Sequence, residues 1–399
     1  MNIVVIGTGY VGFVTGVGFA SLKHNVSFID LDADKIANLK DKVIPFFEPG
    51  LEELFNDEEN FSNMEFYSNY SEIEWSKQEI VFICVQTPNN SNSNSVDTKF
   101  LESAIKEVTQ IDNEKIIVTI KSTIPPYEIE NICTKVGYEK EKLTFNPEFL
   151  REGSAVFDFF NPDRVVIGGL DLEKTSKLKE LYSNFETEIL VTDPISSQLI
   201  KYLANTYLPL RLSFVNEASR LVKYSNGNLK DVLKGVGLDS RIGSHYFRPS
   251  PSWGGSCFPK DLVEVNNFYD NNLISLPLIS NILSSNYEHL IWTSNIIIKL
   301  FKEHNLENII LIGAAFKEDT DDLRNSPTID LYNSLKSQNC NVQILDTSLS
   351  LKDMQQLTNV HDINENSLIV YMYPPKEDLE EQINSYIENK NCYIYYPWK

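Results

Sequence analysis

The chain has 399 residues, 42% hydrophobic and 23% charged, enough to bury a sizeable core and, at roughly 150 residues per domain, to form two or three domains. Lys plus Arg number 35 against 56 for Asp plus Glu, and the resulting net charge of −21 repels phosphate backbones and anionic headgroups, which argues against nucleic-acid and membrane partners. No apolar run approaches the roughly 20 residues that a bilayer demands. The first residues read as a strand rather than a signal peptide, and five scattered cysteines fit a reduced cytoplasmic compartment.

Along the chain, 3–6 predicts a short strand, 7–12 a glycine-rich turn, 13–23 a helix and 26–29 a second strand ending at Asp30. This βαβ unit of about 30 residues is the mark of a parallel sheet. Buried-strand candidates at 80–85, 116–120 and 164–167, separated by helix-length stretches, predict a doubly wound sheet. The polar run NNSNSNS at 89–95 reads as a flexible loop. From 196 to 224 apolar residues such as Leu199, Leu203, Leu210, Phe214 and Leu221 recur at helical spacing without turn punctuation. They predict a helix of about 28 residues, interrupted or kinked at Pro209, that serves as a spine between domains or a dimerisation element. After a glycine-rich stretch over 235–255 and more helix to about 303, alternation resumes, with strands at 308–312, 341–345, 367–371 and 392–396 and a helix at 328–338.

Three groups of residues carry chemistry. GTGYVG at 7–12 (Gly7, Gly9, Tyr10, Val11, Gly12) follows a strand and opens a helix, the fingerprint of a dinucleotide site whose pyrophosphate rests on the helix N-terminus. Asp30 stands where a carboxylate binds the ribose 2′-hydroxyl and repels a 2′-phosphate, which favours NAD over NADP. Cys257, in GGSCFPKD at 254–261, is placed near a helix N-terminus beside Lys260, both of which favour thiolate; the bland alternative is a small buried hydrophobe. Lys201 and Asn205, at i and i+4, share a helix face, as a solvated polar stripe also would. Glu148, between Pro147 and Phe149, is either a desolvated base with raised pKa or a surface carboxylate closing a strand. Histidines at 24, 245, 289, 304 and 361 have no metal-ligand spacing, so no metal is expected.

These motifs in this order resemble the UDP-glucose/GDP-mannose dehydrogenase family, the nucleotide-sugar 6-dehydrogenases, over nearly the whole chain. The resemblance runs through GTGYVG, CVQTP at 84–88, IKSTIPP at 120–126, FNPEFLREGSA at 145–155 and NPDRVVIGG at 161–169. It continues in QLIKYLANTYLPLRLSFVNE at 198–217, RIGSHYFRPSPSWGGSCFPKDL at 241–262 and FKEDTDDLRNSP at 316–327. It implies an α/β protein of two Rossmann-like doubly wound domains joined by a central helical domain with a long spine helix, divided at 1–195, 196–303 and 304–399.

The implied reaction is oxidation of a sugar C6 from alcohol to acid by two NAD in succession, through a thiohemiacetal and a thioester on Cys257. Matched residue by residue, Lys201 and Asp261 handle the proton and the oxyanion, Asn205 is a further oxyanion donor, and Glu148 with Thr123 serves thioester hydrolysis. Gly7, Gly9, Tyr10, Val11, Gly12, Asp30, Lys35, Thr87, Thr123, Glu152, Lys260 and Arg324 match cofactor contacts. Glu148, Phe149, Leu150, Lys201, Asn205, Tyr246, Gly254 and Lys317 match substrate contacts, and Arg241 matches an arginine reaching a neighbouring subunit, which implies a homodimer or a larger homo-oligomer. GSCFPKD and RIGSHY favour UDP-glucose over N-acetylated sugars and GDP-mannose; a silent nucleotide-binding regulator is the reading from another class. The chain departs from the family pattern at 249–253 (PSPSW), at Gln86 and in the loop at 89–95.

Overall fold

The computed structural model describes residues 1–88, 96–111, 113, 115–271 and 274–399, with backbone alone at 269–271. The expected loop at 89–95 lies outside the described residues. The chain divides into two compact units, Met1–Ala204 and Asn205–Lys399.

The first unit is built on an eight-stranded sheet: β1 (Asn2–Ile6), β2 (Asn25–Ile29), β3 (Met64–Tyr67), β4 (Ile80–Ile83), β5 (Ile117–Ile120), β6 (Leu143–Phe145), β7 (Val165–Gly169) and β8 (Ile189–Thr192). The order is β3-β2-β1-β4-β5-β6-β7-β8. Strands β1 to β6 are mutually parallel, so the order reverses between β1 and β4, the switch point at which doubly wound sheets bind ligands. Why a sheet covered on both faces forms is visible in β1. Ile3 and Val5 point into one apolar cluster and Val4 and Ile6 into the other, and β4 repeats the division with Ile80 and Phe82 against Val81 and Ile83. A strand that buries both faces needs an unbroken apolar run.

The sequence expectation of a continued parallel sheet fails at one place. Strand β7 pairs antiparallel with β6, and β8 follows β7 in parallel. The strands of this sheet not anticipated are β3, β6 and β8, which have four, three and four residues. Strands β4 and β5 are as short, but each lies in a longer run of strand-forming residues, 80–85 and 116–120, which β3, β6 and β8 lack.

The second unit carries β9 (Asn308–Ile312), β10 (Val342–Leu345), β11 (Gln356–Leu357), β12 (Ser367–Tyr371) and β13 (Tyr393–Tyr395), ordered β11-β10-β9-β12-β13 and all parallel. Relative to its own first strand this is the 3-2-1-4-5 order of the first sheet, and β9 again splits its residues, Ile309 and Leu311 to one cluster and Ile310 and Ile312 to the other. Two doubly wound sheets are therefore present, as the sequence led us to expect.

Between them in sequence runs a 31-residue helix, Pro194–Tyr224, which passes through Pro209 without interruption. Proline lacks the N–H that would bond to the carbonyl four residues back, so the expected break is reduced here to one missing rung. Helices Phe258–Asn271 and Ile282–Glu303 follow. Among the described residues no helix is long and apolar enough to cross a membrane.

Phe19 illustrates the packing under the first sheet. It is fully buried, stacks on Phe82 at 5.7 Å between ring centroids and meets Phe159 edge-on at 5.1 Å. Phe19→Ala is expected to destabilise the protein by about 3–5 kcal/mol, read as a fall in the urea midpoint of the first transition; a change below 1 kcal/mol would show that this cluster repacks freely.

Candidate functional site

In the first unit, chain reversal after β1 is permitted by Gly7, at φ +94°, where a Cβ would come within 2.8 Å of the Cys84 carbonyl oxygen. A Cβ on Gly12 would overlap the Gly7 carbonyl oxygen, so the first turn of helix Tyr10–Ser21 can lie this close to the strand end only as glycine. Gly9 is the N-cap and offers no side chain to the first N–H groups, which leaves them and the helix dipole to an anion.

Asp30 closes β2 and faces this turn. Its carboxylate accepts from the Thr8 N–H (2.9 Å), the Thr8 hydroxyl (2.8 Å) and the Asp32 N–H (3.1 Å), and Lys35 Nζ lies at 3.2 Å. Burial alone would push the carboxyl up. The hydrogen bonds from Thr8 and Asp32, with the Lys35 charge, outweigh it and hold Asp30 below the usual carboxylate range. Thr87 follows β4 and donates to the Thr123 carbonyl after β5 at 2.8 Å, which ties together the carboxyl ends of two adjacent strands. Tyr10 donates to buried Glu48, which also accepts from the Gly153 and Ala155 N–H groups at 2.8 and 2.7 Å. Val11 is half-buried in the same first turn. Glu152, half-buried, is one of the charges that keep the Tyr10 phenol raised, after burial and Glu48.

The loop after β6 carries the second group. Glu148 is 7% exposed: Oε1 accepts from Lys201 Nζ at 2.7 Å, Oε2 from the Leu150 N–H at 2.7 Å, and its own carbonyl accepts from Lys201 at 2.8 Å. The open choice between a desolvated Glu148 and a surface one is thus resolved as desolvated, and Lys201, 4% exposed, is no solvated stripe. Phe149 stands between the Arg164 guanidinium, 3.8 Å from its centroid, and Lys201 at 5.4 Å.

In the second unit Cys257 precedes helix Phe258–Asn271 as its N-cap, its carbonyl accepting the Asp261 N–H at 2.9 Å, and its thiol is exposed. Ser256 Oγ lies 3.5 Å from the sulfur. Asp261, 1% exposed, accepts from Asn205 Nδ2 at 2.7 Å and pairs with Lys260 at 2.8 Å. Lys260 also reaches Glu264 at 3.2 Å. Burial alone would lower the Lys260 ammonium, and the charges of Asp261 and Glu264 reverse that and hold it above its ordinary value. Its charge is therefore shared with two carboxylates rather than directed at the thiol alone. Gly254 is locked against the Asn325 carbonyl oxygen, which a Cβ would overlap, and Gly255 adopts φ +92°.

The remaining expected residues sit on loops of this unit. Tyr246 is held at φ +53°, Arg241 is exposed and pairs with Asp239 at 2.7 Å, Arg324 pairs with Asp322, and Lys317 lies over the Phe316 ring. The structure thus groups Glu148 with Phe149, Leu150 and Lys201, and Cys257 with Lys260, Asp261 and Asn205.

Sequence reasoning missed Glu48, Arg164 and the buried Lys121. Lys121 Nζ donates to Asn146 Oδ1 at 2.9 Å, and burial pushes its ammonium down to about 8. A single Lys directly after strand Ile117–Ile120 carries no signal of its own burial.

Known proteins match this chain along most of its length. The UDP-glucose/GDP-mannose dehydrogenase family models for the NAD binding, central and UDP binding domains match residues 1–186, 195–288 and 310–384. UDP-glucose 6-dehydrogenase of Rickettsia bellii is 36% identical over 355 residues, covering 87% of this chain and 81% of that protein. UDP-glucose 6-dehydrogenase YwqF of Bacillus subtilis is 34% identical over 351 residues, 87% of this chain and 79% of its own. The structure of a UDP-glucose dehydrogenase from the archaeon Pyrobaculum islandicum superposes with a TM-score of 0.87 at 28% identity, covering all of this chain and 94% of that one. Asp30→Ala is expected to weaken NAD binding by about 1–3 kcal/mol, the scale of a hydrogen bond to a charged group; an unchanged dissociation constant by calorimetry would remove Asp30 from the cofactor site.

Proposed function

The chain belongs to the UDP-glucose/GDP-mannose dehydrogenase family, and from that premise we propose that it oxidises C6 of UDP-glucose from alcohol to carboxylate, giving UDP-glucuronate and two NADH per sugar. The observation that carries this reading is Cys257, an exposed thiol capping a helix whose first turn holds Asp261 bonded to Asn205. A dehydrogenase that stopped at the aldehyde would need no such thiol.

NAD is the cofactor, and when bound it accepts one hydride at each oxidation. The first unit fits it: Gly7, Gly9 and Gly12 put no side chain into the turn that Tyr10 and Val11 carry on into the helix, and the Asp30 carboxylate is held ionised beside it. Lys35, Thr87, Thr123 and Glu152, with Lys260 and Arg324, complete the cofactor contacts. Phe149, Leu150, Tyr246, Gly254 and Lys317 bind the sugar nucleotide, and Arg241 serves the neighbouring subunit's substrate. The positive groups at 201, 241, 260 and 317 are the cations that would meet an anionic ligand, the first three of them already paired with carboxylates.

In the first step C6 loses a hydride and O6 a proton, which passes by way of water to the Asp261 carboxylate while the Lys201 ammonium and Asn205 hydrogen-bond the developing oxyanion. The aldehyde carbon is trigonal and yields no second hydride directly. Cys257 thiolate adds to it: a C–S bond forms, the C=O π bond opens and the oxygen takes a proton, so that the carbon is tetrahedral again; its hydrogen then leaves as hydride while the hydroxyl returns its proton to Asp261, which leaves the thioester. Glu148, ordered by Lys201 and the Leu150 N–H and assisted by Thr123, directs water at the thioester. The C–S bond then breaks, the thiol is regenerated and the carboxylate departs.

We assign the three functional segments to 1–195, 196–303 and 304–399, place the reaction in the cytoplasm and infer a homodimer or larger homo-oligomer. Leu203, Tyr207, Phe214 and Leu221 on helix Pro194–Tyr224 are 54%, 57%, 58% and 67% exposed at spacings of four and seven residues, an apolar stripe that a second copy would cover.

Purified protein with excess NAD is expected to release two NADH per UDP-glucose, by absorbance, with an acidic product; a ratio of one would sink the thioester route. Cys257→Ser is expected to keep ligand binding and to release no more than about one NADH per active site. Phe214→Glu combined with Leu221→Glu is expected to turn the dimer into a monomer in sedimentation velocity, and an unchanged sedimentation coefficient would place the interface elsewhere.

A further inference from the structure

The segment at 249–253, where this chain departs from its family's pattern, is irregular backbone that is nonetheless buried: Ser252 and Trp253 are 6% and 7% exposed. Buried backbone without secondary structure must find its hydrogen bonds elsewhere, and here side chains of two helices supply them. From helix Ile282–Glu303, Asn286 forms a reciprocal pair with Trp253, accepting its N–H at 3.0 Å and donating to its carbonyl at 2.8 Å, as a neighbouring strand would. One turn further, His289 donates from Nε2 to the Ser250 carbonyl at 2.9 Å. From helix Pro194–Tyr224, Asn216 accepts the Ser250 N–H at 3.0 Å, and Ser213 accepts the Trp253 indole N–H at 2.9 Å.

His289 is 2% exposed, and burial pushes its imidazole down to about 4, so the ring is neutral at working pH and its donor nitrogen is fixed by the Ser250 carbonyl. The chain from this clamp to the nucleophile has little freedom. Gly254 abuts the Asn325 carbonyl, and the Gly255 carbonyl accepts from Asn325 Nδ2 at 3.0 Å. Ser256 and the helix-capping Cys257 come next.

We propose that Asn286 and His289 are positioning residues for the Cys257 sulfur: by pinning the backbone of Ser250 and Trp253 they set where the nucleophile stands at its helix N-terminus. The inference rests on Cys257 being the nucleophile of the reaction above. Neither residue touches the reacting atoms, and both act through the strap.

The test compares wild type with Asn286→Leu, His289→Leu and His289→Gln, the last keeping a side-chain N–H donor. Three readouts are taken: kcat and KM with UDP-glucose, the rate of iodoacetamide alkylation at Cys257 followed by peptide mass mapping, and the thermal midpoint. Asn286→Leu and His289→Leu are expected to lose tenfold or more in kcat and in the Cys257 alkylation rate, with NAD affinity unchanged, and His289→Gln to recover most of both. Variants that lose only thermal stability, with kcat and alkylation at wild-type rates, would reduce the clamp to a packing role and overturn the proposal. So would a His289→Gln variant as impaired as His289→Leu; this pair decides the matter even if Asn286→Leu does not fold. Alkylation needs neither sugar nor cofactor. A wild type that alkylates at Cys257 but makes no NADH from UDP-glucose would therefore fail the functional reading and leave the clamp standing.

Discussion

A lysine and a glutamate taken out of water together set the conditions for much of the first unit. Desolvating two charges is expensive, and the attraction between them compensates only when geometry is good and the remaining hydrogen-bonding capacity is met. Lys201 and Glu148 meet both conditions, at 2.7 Å, with the Leu150 N–H on the second carboxylate oxygen and the Glu148 carbonyl on the ammonium. That requirement fixes the loop after β6 against the start of helix Pro194–Tyr224 and leaves Phe149 no choice but to face the same ammonium. A hydrophobic pair of equal volume would hold these elements together as well; what the charges add is an ammonium and a carboxylate kept dry and in register.

The two sheets solve one backbone problem in the same way. After β1, the Thr8 N–H is accepted by Asp30 at the end of β2; after β9, the Ala314 N–H is accepted by Asp346 at the end of β10, both at 2.9 Å. In each case the preceding residue is glycine at positive φ, Gly7 at +94° and Gly313 at +92°. An acid at the carboxyl end of the second strand thus steadies the turn after the first, whatever ligand each half takes. The shared 3-2-1-4-5 order makes the resemblance topological as well as local.

Much of this was legible in the residues. The apolar runs at 80–83 and 309–312 read as strands covered on both faces, and a hexapeptide with three glycines between a strand and a helix read as a dinucleotide turn. What stayed hidden was decided by tertiary partners. Glu148 reads alike on a surface and in a core until Lys201, 53 residues away, is brought to it. Lys121 and His289 carry no local mark of burial. The reversal at β7 was invisible because a strand's direction is settled by its connection rather than by its side chains. The family resemblance supplied roles that spacing alone left open, above all for Asn205 and Asp261.

The long helix has one further property. Pro209 has no N–H, so the bond it would make to the Asn205 carbonyl, four residues earlier, is missing. The same residue sends its side-chain amide to Asp261. One turn of a 31-residue helix therefore has one bond fewer than its neighbours, and the missing rung lies at a residue assigned to the chemistry. The rod is stiff along most of its length and compliant at Asn205, where a small elastic bend meets the least resistance.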